Sequence, residues 1–157
     1  MKFELMLNLP NAELVSRKNK KGIVEVFDGI RKKYVVLTPE ENVRQHFLNY
    51  LIKEKNYPAS LMAVEKGLLV NNLPKRFDAV AYNREGNPAV LIEFKSPEVK
   101  ISQAVFEQIS TYNLKLRVKY LIVSNGIHHY CCKVNFENGE ISFIKDIPNY
   151  DEINIIE

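Results

Sequence analysis

RFDAVAY (Arg76 to Tyr82) and AVLIEFKSP (Ala89 to Pro97) are two apolar runs joined by the polar loop Asn83-Arg84-Glu85-Gly86-Asn87. Their length and content read as strands, and the Gly/Asn-rich connection reads as a hairpin loop, so the two are expected side by side in one sheet. Alternation places Glu93 and Lys95 on one face of the second strand and Ile92 and Phe94 on the other. A charged pair inside an otherwise apolar strand is costly to bury unless partners or a metal ion compensate it. With Asp78 on the neighbouring strand, two carboxylates and a lysine share one sheet. That is the donor set that Mg²⁺-dependent cleavage of a phosphodiester requires.

Upstream, a helix begins at TPEENVRQHFLNYLI. Thr38 suits the N-cap, Pro39 the first helical position, and Glu41 the third position of a capping box. Val43, Phe47, Leu48, Leu51 and Ile52 recur at helical spacing to about Lys55, and Asn56-Tyr57-Pro58 should end the helix. A short amphipathic piece over Ala59 to Met62 leads into the strand AVEKGLLV. Ahead of the helix, GIVEVFD and IRKKYVVL flank Asp28-Gly29, a hairpin signal. Beyond the central strands, Ile101 to about Arg117 is expected to be a helix with Val105, Ile109, Tyr112 and Leu116 inward. KYLIVSNG follows as a buried strand, and HHYCCKVNF with ISFIKDI forms a terminal hairpin. Residues 1–37 are expected to form an N-terminal arm and hairpin, and 38–157 an α/β domain, the whole being a single domain.

Composition bounds the reading. The 157 residues are 46% hydrophobic and 26% charged, ordinary values for one folded domain. A net charge of +3 permits a nucleic-acid partner without demanding one. No apolar run approaches the ~20 residues of a membrane span, and MKFELMLNLP does not read as a secretory signal. Cys131 and Cys132 are adjacent, a spacing unsuited to a structural disulfide, so a reducing cytoplasm is expected. His128, His129, Cys131 and Cys132 share one strand whose alternation parts neighbours, whereas zinc needs three or four converging ligands; zinc is not expected. The basic run Arg17, Lys18, Lys20 and Lys21 reads first as solvated loop and edge charge, and second as a phosphate contact.

An acid on one strand, Glu-x-Lys on the next, and Gln-x-x-x-Tyr on the following helix resemble the PD-(D/E)xK nuclease superfamily. More narrowly, TPEENVRQHFLNYLI, RFDAVAY, LIEFKSP, and QISTYNL followed by YLIVSNG resemble the N-terminal nuclease domain of type I restriction enzyme R subunits, from about Thr38 to Phe136. The resemblance implies a restriction-endonuclease-like core: a mixed β-sheet flanked by helices, here with an additional N-terminal β-hairpin and a C-terminal hairpin. It implies a Mg²⁺ ion, replaceable by Mn²⁺, held by Asp78, Glu93 and the backbone carbonyl of Phe94. Lys95 would orient water or offset phosphate charge, and Gln108 and Tyr112 would help position substrate. An acid from the first helix often stands near the metal in that superfamily, which points to Glu41, although capping alone also explains that residue.

Arg44, Lys32 and Lys33 are candidate nucleic-acid contacts, and Glu65 either backs the site or lies at its exposed edge. The expected partner is DNA, with other restriction–modification subunits or a helicase chain beside it, no membrane, and room for a homodimer. The sequence holds no Gly-x-x-x-x-Gly-Lys-Ser/Thr loop, so translocation is not expected of it alone. Two functions follow: a metal-dependent DNA endonuclease, or a nucleic-acid-binding or complex-assembly module that keeps the nuclease fold without turnover.

Overall fold

The structure is a computed structural model that describes residues 6–70, 72–107 and 117–155. Helix α1 (Pro39–Glu54) starts as its residues dictate, with Thr38 Oγ1 accepting the Glu41 N–H at 3.0 Å and Pro39 in the first turn. Its end coincides with Asn56 at φ 61°, a left-handed turn that asparagine tolerates better than most residues. The apolar stripe Val43, Phe47, Leu48 and Leu51 is buried against a β-sheet, and the Phe47 ring meets Phe94 edge-on at 5.6 Å.

That sheet has six strands in the order β4 (Met62–Val70), β5 (Leu73–Tyr82), β6 (Pro88–Phe94), β7 (Tyr120–Ser124), β8 (His129–Val134) and β9 (Ile141–Ile144). Neighbours are antiparallel except β6 and β7, which run parallel from Val90↔Tyr120 to Phe94↔Ser124. A parallel pair needs a long crossover. Here it contains helical residues 103–107, while 108–116, the bulk of the expected Ile101–Arg117 helix, lie outside the described residues. Alternation divides the sheet into two apolar faces. Ile92, Phe94, Ile122 and Cys131 pack with α1, whereas Leu91, Leu121, Val123 and Cys132 pack on the side of Val105 and Phe106. Both faces of β7 are therefore covered, which is why Leu121, Ile122 and Val123 follow one another without a polar residue.

The expected N-terminal hairpin is part of a three-stranded antiparallel sheet, β1 (Ser16–Lys18), β2 (Val24–Asp28) and β3 (Lys33–Val36). Strand β1 is too short and exposed to carry an alternation signal. Its turn into β2 is closed by Asn19 Oδ1, which accepts the Lys21 and Ile23 N–H groups at 2.9 and 3.1 Å. At the other end Asp28 Oδ1 accepts from the Ile30 and Arg31 N–H groups. The short piece expected over Ala59 to Met62 is a 3₁₀ turn, Ala59–Leu61, and a helical turn that was not expected, α2, forms at Tyr150–Ile153. The latter is anchored by Tyr57 Oη donating to Pro148 O and Tyr150 Oη to Tyr82 O, both at 3.0 Å.

Leu7 and Asn8 lie against the β7–β8 turn. The Asn8 N–H donates to Gly126 O at 2.8 Å, and His129 Nε2 lies 2.7 Å from Asn8 O. Gly126 holds φ +86°, and a Cβ there would fall 2.7 Å from Leu7 Cδ2 and 2.9 Å from Val43 Cγ2. Gly126→Ala should therefore lose about 2–4 kcal/mol through left-handed strain and overpacking. Gly139→Ala, at φ +72° in open space, should lose only about 1–2 kcal/mol from strain. Urea unfolding of both variants checks this, and equal losses would show that the Leu7–Val43 contact carries no weight.

Candidate active site

The β5–β6 ladder runs to Ala79↔Ile92, and one step further along that register Asp78 faces Glu93. There a side chain takes over from the backbone, because the Phe94 N–H donates to Asp78 Oδ2 at 2.8 Å. Strand β6 meanwhile stays with β7, and the Lys95 N–H donates to Ser124 O at 2.9 Å. On the other side of Asp78, the β4–β5 register skips Glu65, which takes φ 52° between Val64↔Ala79 and Lys66↔Phe77. Asp78 thus lies where both flanking ladders are disturbed, and its carboxylate fills the gap.

The electrostatics show the two strand carboxylates acting on each other. Burial first, then the Asp78 charge and a hydrogen bond with Asp78, raise Glu93 from the ordinary glutamate value of 4.5 to about 8; Lys95 pulls weakly the other way. Glu40 is likewise raised by burial and then by Asp78, with Arg44 and Lys95 opposing. Glu40, Asp78, Glu93 and Lys95 therefore belong to one electrostatic neighbourhood.

Glu41 is placed differently from Glu40. Its side chain does not return to its own helix start as a capping box would; Oε1 instead accepts from Arg31 Nη2 at 2.6 Å and Arg44 Nη1 at 2.9 Å. With 6% of its surface exposed, it is a buried acid between two guanidinium groups. Of the two first-turn acids, Glu40 is the one shifted by the Asp78 and Lys95 charges, while Glu41, the helix acid expected near a metal, is engaged by Arg31 and Arg44.

Arg44 is also buried. Its Nη2 lies 3.7 Å from Asp78 Oδ1 and 3.9 Å from Glu40, and its Nε has no hydrogen-bond partner. Glu65 pairs with Arg76 at 2.9 Å and with Arg31 at 3.5 Å. Lys32 and Lys33 are exposed on the N-terminal sheet. Gln108 and Tyr112 lie outside the described residues. Cys131 and Cys132 point to opposite faces of the sheet, and burial raises their thiols to about 12 and about 11.

The donors present fit a hard divalent cation. Burial and then the neighbouring Asp78 charge disfavour the ionised Glu93, a cost that a bound cation would offset. Among the described residues no group of three or more His, Cys, Asp or Glu is placed to hold an ion. Mg²⁺ accepts one or two carboxylates because it keeps several waters.

The raised Glu93 has a consequence for stability. A folded-state value above the unfolded one means the native protein holds a proton that the unfolded chain releases. Stability is then full below about pH 4.5 and declines as pH rises towards about 8. Glu93→Gln, neutral and nearly isosteric, should match the wild type at pH 5 and exceed it at pH 8.5 by on the order of 1–3 kcal/mol. Urea unfolding in EDTA at both pH values measures the gap; a gap that does not change with pH would contradict it.

A mixed six-stranded sheet with one parallel pair at its centre, α1 on one face and carboxylates where the central strands part is a restriction-endonuclease-like α/β fold. Sequence comparison agrees. The chain belongs to the family described as the type I restriction enzyme R protein N terminus, whose pattern matches residues 39–148. A solved fragment described as an HsdR subunit of a type I restriction enzyme from Vibrio vulnificus YJ016 superposes with a TM-score of 0.52 at 18% identity over 74% of this chain. At that identity the likeness concerns the fold. The chain spans 24% of that structure's length. No curated protein matches it. Among the described residues no helix is long and apolar enough to cross a membrane.

Proposed function

We propose that this chain is a Mg²⁺-dependent DNA endonuclease module of the R-subunit N-terminal type, with Mn²⁺ able to replace Mg²⁺. The observation that carries this reading is the facing of Asp78 and Glu93 where β5 and β6 part, with Lys95 two residues beyond Glu93. Asp78, Glu93 and the Phe94 carbonyl would hold the ion, which when bound polarises the scissile phosphate and lowers the pKa of a coordinated water. Glu40 is a further acid whose charge couples to Asp78.

The chain's own groups do the positioning. Asp78 is fixed by the Phe94 N–H at 2.8 Å, so one of its oxygens is oriented by the backbone while the other faces Arg44. Lys95, held through its backbone to β7, presents an ammonium that orients the attacking water and offsets charge on the phosphate. In the reaction the water oxygen bonds to phosphorus and releases a proton to solvent, the opposite P–O ester bond breaks, and the leaving oxygen takes up a proton. Gln108 and Tyr112 would position substrate from the crossover helix. Other restriction–modification subunits or a helicase chain would bring the DNA.

The test is cleavage of plasmid and labelled oligonucleotides with Mg²⁺, Mn²⁺ or EDTA. Metal-dependent nicking or cutting supports the endonuclease. Protein that binds DNA and cuts nothing under any of these conditions supports a non-catalytic binding or assembly module instead.

A further inference from the structure

The charge of this protein is unevenly placed. Residues 16–36, the three-stranded sheet, carry seven Lys/Arg and two acids, against 22 and 19 in the whole chain; elsewhere acids outnumber bases 17 to 15. The entire net positive charge therefore resides on this sheet, and the sheet lies outside the family match at 39–148. Of the two acids, Asp28 is buried against Arg31, and Glu25 is paired with Arg17 at 2.9 Å. Arg17, Lys18, Lys20, Lys21, Lys32 and Lys33 are all exposed.

Their arrangement is regular. Lys20 and Lys21 occupy the turn before β2, Lys32 closes the turn after it, and Lys33 opens β3. The five residues of β2 separate the two groups by about 17 Å at the rise of a strand, equivalent to about five base steps of duplex DNA. Between them, Arg17 lies 3.7 Å over the Tyr34 ring, and Tyr34 meets Phe27, itself 38% exposed. The opposite side, Val26 and Asp28, is buried, and Lys33, the register partner of Asp28, is exposed at the edge of that side. Through Arg31 the sheet is tied to Glu41, and through Glu41 to Arg44 beside Asp78.

We infer that the exposed rim of the β1–β3 sheet, from the Lys20–Lys21 turn to Lys32 and Lys33, is a second, sequence-independent contact for the DNA backbone, outside the catalytic cleft. Two lysine pairs at the ends of β2 grip separate phosphates, and the rigid tie through Arg31 keeps that grip in register with the acids. The inference deepens the endonuclease reading by giving its substrate a docking surface, and it rests on that reading only for the identity of the polyanion. Charge complementarity selects the occupant: five exposed cations with no ion-pair partner among the described residues suit a phosphate chain.

The experiment is fluorescence-anisotropy titration of a labelled 20-base-pair duplex in EDTA from 50 to 300 mM salt. It compares wild type, Lys20→Ala/Lys21→Ala, Lys32→Asn/Lys33→Ala, and the charge-matched control Lys53→Ala/Lys145→Ala. Asparagine is used at position 32 because that residue holds φ 58°. Each sheet variant should weaken binding about tenfold near 100 mM salt and flatten the log Kd against log salt slope by about 1–2, while the control changes neither. Equal loss in the control, or no loss in either sheet variant, overturns the inference, as does a wild type that binds no duplex. Because no metal is present, a protein that binds through this face yet never cuts would overturn only the endonuclease reading. Cleavage with an unaltered salt slope in the sheet variants would overturn only this one.

Discussion

Lys95→Ala should lower Mg²⁺-dependent DNA cleavage by about 10²–10³-fold, the loss typical when a group that stabilises developing charge is removed. The substitution deletes an ammonium from the neighbourhood of Glu93 and Glu40, where Lys95 acts against both raised acids. It leaves Asp78, Glu93 and the Phe94 N–H contact in place, so Mn²⁺ affinity measured by calorimetry should change little. The Lys95 backbone bond to Ser124 does not need the side chain, and the fold should survive. Cleavage undiminished in the variant would mean that the chemistry happens elsewhere. A large loss of Mn²⁺ affinity would assign Lys95 to building the acid pair rather than to acting on substrate.

The second large effect concerns Arg31. Its side chain is 12% exposed and reaches three acids: Asp28 at 2.6 Å, Glu41 at 2.6 Å and Glu65 at 3.5 Å. Burial works against its charge, but hydrogen bonds to Glu41 and Asp28 outweigh burial and hold the guanidinium above its usual range. Removing one member of a buried ionic cluster strands the others, so Arg31→Ala should cost about 3–5 kcal/mol at pH 7, or about 6–20 °C in Tm for a domain of this size.

The pH dependence has a definite sign. Burial raises Asp28, yet hydrogen bonds from Arg31 and Ile30 more than offset it, leaving Asp28 below the ordinary 3.8. A depressed carboxylate contributes stability above its unfolded value, and that contribution is lost as pH falls through the folded one. The deficit of the variant should therefore shrink below about pH 4. Urea unfolding at pH 7 and pH 3.5 measures it; a loss under about 1 kcal/mol at pH 7 would mean the cluster is worth no more than a surface ion pair.

Local patterns were legible in the sequence because short-range physics sets them. Thr38-Pro39 and the stripe from Val43 to Leu51 specify α1 within a residue of its observed start. The alternation of β6, with Ile92 and Phe94 on one face and Leu91 on the other, follows from the strand period alone. The terminal hairpin of β8 and β9 was equally clear from its Glu137-Asn138-Gly139 turn. Strand β1 and helix α2 were not, since three- and four-residue elements are held by contacts that no period records.

The candidate site divides along the same line. Composition and order alone drew attention to Asp78, Glu93 and Lys95, because charges inside apolar strands are costly enough to stand out. Which of two adjacent glutamates couples to them was beyond the sequence, since Glu40 and Glu41 are equally good first-turn acids. Glu41 is engaged by Arg44 from its own helix and by Arg31, ten residues before it, folding in beside the N-terminal sheet. The basic cluster was visible as a run of lysines, but only the β1–β3 register places its two halves at opposite ends of one strand. A residue's type and period act through its neighbours in the chain, and those are written in the sequence. Which carboxylate is neutralised, and which is left facing another, depends on groups brought together across the fold, and the tertiary structure alone decides that.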